Sequence, residues 1–273
     1  MVDRDYNMLV KYIKEHIAFD GTLYKERPFK RRLSLRMKYT EQESYYDYLN
    51  YLRHNPEELE KLKDSLTINV TRFLRNRTVF DFLKKYIREQ IRKGRKSNFN
   101  ILSVGCSSGE EPYSMAMIMH SLQRKYNIDY YIVGLDYDAN MLAKARTGIY
   151  NQFSLKELSD AELHKNFSKL KDKYVIRDEI KEHVMFKEFN VKNTDSLAQF
   201  GMFDIVLCRN VLIYFSREFQ YRIILAFNEI LNDDGILVLG KIEIIMGKYK
   251  DLFSIIDKRE RIYRKIGNQD KNS

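Results

Sequence analysis

The residues 105–112, Gly-Cys-Ser-Ser-Gly-Glu-Glu-Pro, follow a short apolar run at 101–104. Glycines let the backbone turn sharply and approach a ligand, and Pro112 behind two acids opens a helix. In an open α/β sheet, a turn at a strand's carboxyl end is where ligands bind. The glycine spacing is not that of a dinucleotide fingerprint, and acids at its mouth repel a pyrophosphate. Glu110 or Glu111 can instead pair with an ammonium group; the bland alternative is a plain strand-to-helix connection. Asp136 ends the next apolar run, 130–135, where a carboxylate can accept both hydroxyls of a ribose. An acid here can equally cap the helix that begins at Ala139, but Asp138 is also present, so one can cap and one can bind. Together the two motifs point to an adenosine-bearing ligand with a cationic tail, for which S-adenosylmethionine is the obvious candidate.

Two further segments carry unusual polarity. The apolar run 203–208 ends in Arg209-Asn210-Val211, and charged groups at a buried strand end need partners. Cys208 reads as a small buried hydrophobe rather than a nucleophile. Residues 67–75, Thr-Ile-Asn-Val-Thr-Arg-Phe-Leu-Arg, put polar side chains into an apolar join, either as a lid over a ligand or as a plain hydrogen-bond network between domains. The five histidines, at 16, 54, 120, 164 and 183, form neither a triad nor a metal-binding spacing.

The elements that must position these groups follow from hydrophobic periodicity. Up to residue 66 apolar residues recur at helical spacing, as in Leu9, Tyr12, Ile13 and His16, in Phe29, Leu33 and Met37, and in Tyr45, Leu49 and Leu52. Pro56 with Glu57 and Glu58 starts another helix, with Asn55 as its cap. A basic helix runs from residue 78 to about Arg92, buried through Phe80, Leu83 and Ile87. From there strands and helices alternate, which calls for a mostly parallel sheet covered on both faces. Residues 150–183 are polar and poorly periodic and read as an insertion, and residues 255–266 read as a closing hairpin or an edge strand pair.

The chain has 273 residues and a formal charge of +10, unevenly spread. Residues 71–100 hold 10 basic groups against 2 acids, and residues 24–38 hold seven basic groups against Glu26 alone. Such clusters favour an acidic partner, with a solvated helix face as the alternative. Two separated cysteines exclude a disulfide scaffold and a cysteine zinc site. No run approaches the roughly 20 apolar residues of a membrane span, and the N-terminus has no secretory pattern. The expectation is a reducing, cytoplasmic location.

In this order, the segments TINVTRFLR (67–75), GCSSGEEPYS (105–114), DYD (136–138), GIY (148–150) and CRNVLIYF (208–215) resemble the chemotaxis receptor methyltransferase family, CheR. The resemblance runs from about residue 20 to 266. It implies an all-helical N-terminal domain, 1–70, and a class I S-adenosylmethionine-dependent methyltransferase domain, 71–273, Rossmann-like with a mostly parallel sheet. It also implies an inserted antiparallel β subdomain at about 150–190 that docks the receptor. The activity it implies is methyl transfer to glutamates on the cytoplasmic helical domain of methyl-accepting chemotaxis receptors, by a monomer that neither binds nucleic acid nor inserts into membrane. Carried over by motif, the contacts to S-adenosylmethionine (and its product S-adenosylhomocysteine) are Asn69, Thr71, Arg75, Glu110, Asp136, Asn190, Val191, Asn210 and Val211. Arg75 and Tyr214 are the candidate catalytic residues, and Arg27, Arg31, Arg32, Arg36 and Lys38 the candidate receptor-binding ones; no metal is expected. Leu74 stands where the family has a second Phe, Ser108 where Thr is common, and Lys241-Ile242-Glu243 where a H-S-E run is usual, with Glu243 retained.

Two rival readings differ in class. A nucleic-acid methyltransferase fits the basic charge, but base amino-methylation goes with an Asn/Asp-Pro-Pro-aromatic run where this chain has Arg209-Asn210-Val211. A binding module that keeps the fold without turnover is the other, and the intact motifs speak against it.

Overall fold

The computed structural model describes residues 2–17, 19–66, 71–245 and 251–267. It divides into two compact units, Met1–Asn69 with Tyr214–Gln220, and Val70–Ile213 with Tyr221–Ser273. The short return of 214–220 to the helical unit is a feature that contiguous domains do not anticipate.

The first unit is built from α1 (Val2–Ile17), α2 (Glu26–Tyr39), α3 (Tyr45–His54) and α4 (Pro56–Leu66). Its core gathers the residues that the helical spacing singles out, among them Leu9, Ile13, Phe29, Leu33, Leu49 and Leu52. Asn55 does not cap α4 with its side chain. Its amide donates back to the Tyr51 carbonyl at 2.8 Å, and its own carbonyl accepts the first turn's N–H groups of Glu58 and Leu59. Glu58, in the first turn of α4, also has a structural role. It is 5% exposed, bound by the Arg36 guanidinium through Nε (2.9 Å) and Nη2 and by the Tyr48 hydroxyl at 2.9 Å. A buried acid of this kind is tolerable only with its partners in place, and removing one typically costs about 3–5 kcal/mol.

The second unit opens with α5 (Arg77–Arg92), whose buried face is Val79, Phe80, Leu83 and Ile87. Its cations Lys84, Lys85, Arg88 and Arg92 are on the exposed side. Then follow β1 (Asn98–Val104), α6 (Glu110–Gln123), β2 (Asp129–Asp136) and α7 (Ala139–Thr147). A small antiparallel sheet comes next, from β3 (Ile149–Tyr150), α8 (Gln152–Leu155), α9 (Asp160–Asn166), β4 (Phe167–Leu170) and β5 (Lys173–Ile176), ordered β3-β5-β4. The chain continues through α10 (Asp178–Lys181), β6 (Val184–Glu188), β7 (Phe203–Cys208), α11 (Arg217–Ile230), β8 (Leu231–Leu239), β9 (Phe253–Asp257) and β10 (Ile262–Lys265).

The main sheet has the order β6-β2-β1-β7-β8-β10-β9, parallel from β6 to β8 and antiparallel at β10. Its central strands are apolar on both faces, with all six residues of β7 buried, as a sheet covered on both sides demands. Strand order reverses between β2-β1 and β1-β7, so the crevice at the carboxyl ends of β1 and β7 is the ligand position that the topology sets. The insertion expected at about 150–190 extends too far: β6 pairs in parallel with β2 and is the edge of the main sheet.

One ion pair fastens the insertion to α5. Arg77 donates to Glu162 through Nη1 (2.9 Å) and Nη2 (2.6 Å), and Glu162 also closes a capping box with Ser159 at the start of α9. Burial opposes ionisation of Glu162, but the Arg77 fork and the Ser159 donors outweigh it and hold the carboxyl at about 2, against an ordinary 4.5. A depressed carboxylate stabilises the fold above its unfolded pKa and loses that contribution as pH falls through the folded one. Both side chains are partly exposed (42% and 29%), so the pair is worth only about 1 kcal/mol. Arg77→Ala should therefore lower the urea midpoint at pH 7, and the gap from wild type should close between about pH 4.5 and 2.

Candidate functional site

The turn after β1 is shaped by conformations that its residues make available. Gly105 and Gly109 have φ of +72° and +90°, and Ser107, at +49°, shares the left-handed region. A Cβ on Gly105 would stand 2.4 Å from Cγ2 of Val211, so only glycine lets the β1 and β7 loops approach this closely. The amides of Gly105 and Cys106 donate to the Leu135 carbonyl, at 2.8 and 3.0 Å, which binds the turn to the end of β2.

Asp136 sits at that end, 7% exposed. One oxygen accepts the Ser107 N–H at 2.7 Å and the other the Asp138 N–H at 3.0 Å. Burial pushes its pKa up, while backbone donors, Asp138, Ser107 and Tyr137, pull it down. A carboxylate has about four acceptor sites, so it can still take a further donor such as a ribose hydroxyl. Asp138 does the capping, accepting from the N–H groups of Asn140 (3.0 Å) and Met141 (3.2 Å) at the start of α7. Asp138 is therefore the cap, and Asp136 is not needed for that role.

Glu110 and Glu111 divide as well. Glu111 accepts from the Ser103 hydroxyl at 2.8 Å and from Arg209 Nη1 at 3.1 Å, and is committed to the sheet. Glu110, 3% exposed, accepts the Ser108 and Ser154 hydroxyls, at 2.7 and 3.1 Å. Burial pushes it up as well, and a nearby ammonium would stabilise its charged form. The insertion closes over this turn: the Tyr150 hydroxyl donates to the Ser108 carbonyl at 2.7 Å, and the Ser154 carbonyl accepts the Phe73 N–H at 3.0 Å.

Arg209 has the partners that its buried strand end demands. It donates to Glu111, to the Arg75 carbonyl at 2.7 Å and to Asn76 Oδ1 at 3.0 Å, and its guanidinium lies 5.4 Å from the Phe80 ring centre. The segment before α5 is thereby held to the carboxyl edge. Leu74 and Asn76 are both left-handed, and the Leu74 N–H donates to the Ser114 hydroxyl at 2.9 Å. Leu74 is buried, so the residue that departs from the family pattern still fills an apolar position. Thr71 and Arg75 are half-buried beside it.

Of the other expected contacts, Asn210 (φ +62°) and Val211 form the turn after β7. Asn190 and Val191 follow β6, where Asn190 Oδ1 accepts the Lys192 N–H at 3.1 Å and shapes the turn. Asn69 lies outside the described residues. Tyr214 belongs to the helical unit, with the Arg32 guanidinium 4.8 Å over its ring and its carbonyl accepting from the Lys25 N–H at 2.8 Å. Of the five α2 cations, Arg27, Arg31 and Lys38 are exposed; Arg36 holds Glu58, and Arg32 donates to the Leu66 carbonyl as well as covering Tyr214. Glu243 is the residue whose part the sequence leaves unassigned: its carboxylate gathers backbone N–H groups from the turns after β7 and β8. The signal for it is the single acid kept in the altered run 241–243.

These residues fit S-adenosylmethionine. Asp136 suits its ribose, Glu110 its ammonium, and the buried Ser107 hydroxyl has no hydrogen-bond partner among the described residues. Cys106 and Cys208 are buried, and burial pushes both thiols well up, so neither is a thiolate at neutral pH.

Comparison with known proteins agrees with the geometry. Residues 69–262 match the family model described as CheR methyltransferase, SAM binding domain, and residues 4–67 that of the CheR methyltransferase all-alpha domain. A chemotaxis protein methyltransferase of Listeria monocytogenes is 31% identical over 249 residues, 90% of this chain and 92% of the relative. Chemotaxis protein methyltransferase 2 of Vibrio cholerae is 34% identical over 230 residues, 82% of this chain and 80% of the relative. A helical N-terminal unit, a class I S-adenosylmethionine-dependent methyltransferase sheet and an inserted antiparallel sheet stand together here, and the chain belongs to the CheR methyltransferase family.

Proposed function

We propose that this chain methylates glutamate side chains of methyl-accepting chemotaxis receptors from S-adenosylmethionine, yielding glutamyl methyl esters. The observation that carries this reading is the pair of buried acids, Asp136 and Glu110, set at a glycine turn on the sheet's carboxyl edge within a CheR sequence. When bound, the donor supplies an electrophilic methyl on a sulfonium centre, open to in-line displacement by an oxygen. A glutamate with a pKa of about 4.3 is already ionised at neutral pH, so the chain needs no general base. Its task is alignment, from which well-oriented reactants gain about 7–11 kcal/mol. Glu110 and Asp136 fix the donor's two polar ends, with Thr71, Asn190, Val191, Asn210, Val211 and Asn69 as further contacts. Arg75 and Tyr214 orient the acceptor carboxylate, Arg75 through its charge and Tyr214 through its hydroxyl. The insertion and the Phe73–Leu74 segment exclude water from the turn.

The acceptor is the cytoplasmic helical domain of the receptors, and the enzyme acts in the cytoplasm as a monomer, without nucleic acid and without inserting into membrane. Among the described residues no helix is long and apolar enough to cross a membrane. The experiment is incubation with methyl-labelled donor and receptor membranes. A glutamyl ester releases its label as methanol in mild alkali; label retained as N-methyl, or none transferred, overturns the reading.

The receptor-docking cations on α2 are better assigned to Arg27, Arg31 and Lys38 than to the full set of five, because Arg32 and Arg36 are engaged within the helical unit. Reversing all three to Glu should raise the KM for receptor about tenfold and make it less salt-sensitive, with the Kd for S-adenosylhomocysteine unchanged. Equal loss of both would show that these cations serve the fold.

A further inference from the structure

Glu243 is 4% exposed, and among the described residues no cation pairs with it. A buried carboxylate without a counter-charge is costly unless donors replace the water it has lost. Here the donors are all backbone. Oε2 accepts the N–H of Gly240 at 2.5 Å and of Asn210 at 3.0 Å, and Oε1 accepts the N–H of Ile213 at 3.2 Å. Burial drives its pKa up, and these backbone donors, with Leu212, draw it back. The fit is close: a Cβ on Gly240 would lie 2.5 Å from Glu243 Oε2 and 2.9 Å from the Asn210 nitrogen.

What this carboxylate holds is more telling than its own cost. Asn210 is in the left-handed region, which Asn enters more readily than other side chains but which its neighbours must still hold in place. Its N–H and that of Ile213 converge on one acid from opposite ends of a four-residue turn. In the middle of that turn is Val211, whose Cγ2 fills the space beside Gly105 in the turn after β1. One side chain from the loop after β8 therefore fixes the loop after β7, and that loop in turn bounds the glycine turn that carries Ser107 and leads to Glu110.

We propose that Glu243 is a positioning residue for methyl transfer. By gathering the N–H groups of Gly240, Asn210 and Ile213, it sets the shape of the turn after β7 and so the wall of the donor site at Gly105. The proposal rests on the reading that the donor binds at this edge. Glu243 touches no reacting atom; removing its charge lets Asn210 leave the left-handed conformation and Val211 withdraw from Gly105. Loss of the donor wall is then a local event, because the apolar core of β1, β2 and β7 does not depend on it.

The test uses Glu243→Gln and Glu243→Ala in the full chain. Gln keeps the volume and one acceptor oxygen, but turns an NH2 toward an N–H that needs an acceptor. Calorimetric titration of S-adenosylhomocysteine should show Kd raised about tenfold in E243Q and further in E243A, through the lost charge-assisted hydrogen bonds. The KM for donor should rise while that for receptor stays. Amide hydrogen exchange should quicken at Gly240, Asn210 and Ile213 while the amides of β1 and β2 keep wild-type protection. If E243A does not fold, E243Q decides. Wild-type Kd in E243Q overturns the proposal, as does exchange quickened evenly over the whole sheet, which would make Glu243 a stability residue only. Should wild type itself bind no S-adenosylhomocysteine, the donor reading fails instead, and the two failures are distinct.

Discussion

Arg209→Met should lower the urea midpoint by the equivalent of about 3–5 kcal/mol, the largest stability loss expected from any single change at this edge. The side chain is 2% exposed and, among the described residues, is the cation paired with Glu111, itself only 13% exposed. Met supplies the volume and can still pack on Phe80, so the loss isolates charge and hydrogen bonding from packing. Three acceptors lose a donor at once: the Glu111 carboxylate, which keeps the Ser103 hydroxyl but no counter-charge, the Arg75 carbonyl and Asn76 Oδ1. Arg209→Lys should recover little, since an ammonium cannot span acceptors that a planar fork reaches in different directions. Adding Glu111→Gln to Arg209→Met should restore about 1–2 kcal/mol, because the unpaired buried charge is then gone. Urea unfolding followed by circular dichroism checks all three variants. Additive losses in the double variant would mean that the two residues do not work as a pair.

Much of this site can be read in the sequence because its residues announce special backbone or special charge. A glycine at a strand end, an acid at the end of the next strand and an Arg-Asn pair after an all-apolar strand each break a local rule, and such breaks cluster where ligands bind. Which acid does what is not legible, since it depends on partners far along the chain. Glu111 is claimed by Arg209, 98 residues on, whereas Glu110 has the Ser108 and Ser154 hydroxyls as side-chain partners. Arg36 reads as one of a basic run until Glu58, 22 residues away, is seen beneath it. Glu243 hides for the same reason, its partners being main-chain N–H groups that no side-chain pattern encodes. The small sheet is invisible to periodicity because its strands have only two to four residues and largely exposed faces. The main sheet is legible because every residue of β7 and most of β1 and β2 are buried, so their apolar runs are continuous.

Gly105→Ala should weaken S-adenosylhomocysteine binding about a hundredfold, and Val211→Ala in the same chain should return it to within about tenfold of wild type. The added methyl meets two separate obstacles. At φ +72° an L side chain carries a backbone cost of about 1–2 kcal/mol that no neighbour can relieve. The second is overlap with Cγ2 of Val211 at 2.4 Å, and overpacking of this kind typically costs about 1–3 kcal/mol. The turn escapes the overlap only by moving away from Val211, which carries Ser107 and its hydrogen bond to Asp136 out of register. Val211→Ala removes Cγ2 and leaves the Val211 Cβ position 3.6 Å away, an ordinary contact. The double variant therefore keeps the backbone cost and loses the steric one. Calorimetric titration of the two single variants and the double variant separates the contributions. Wild-type affinity in Gly105→Ala would show that the donor does not depend on this turn, whereas no recovery in the double variant would assign the whole loss to the left-handed backbone and none to the approach of the two loops.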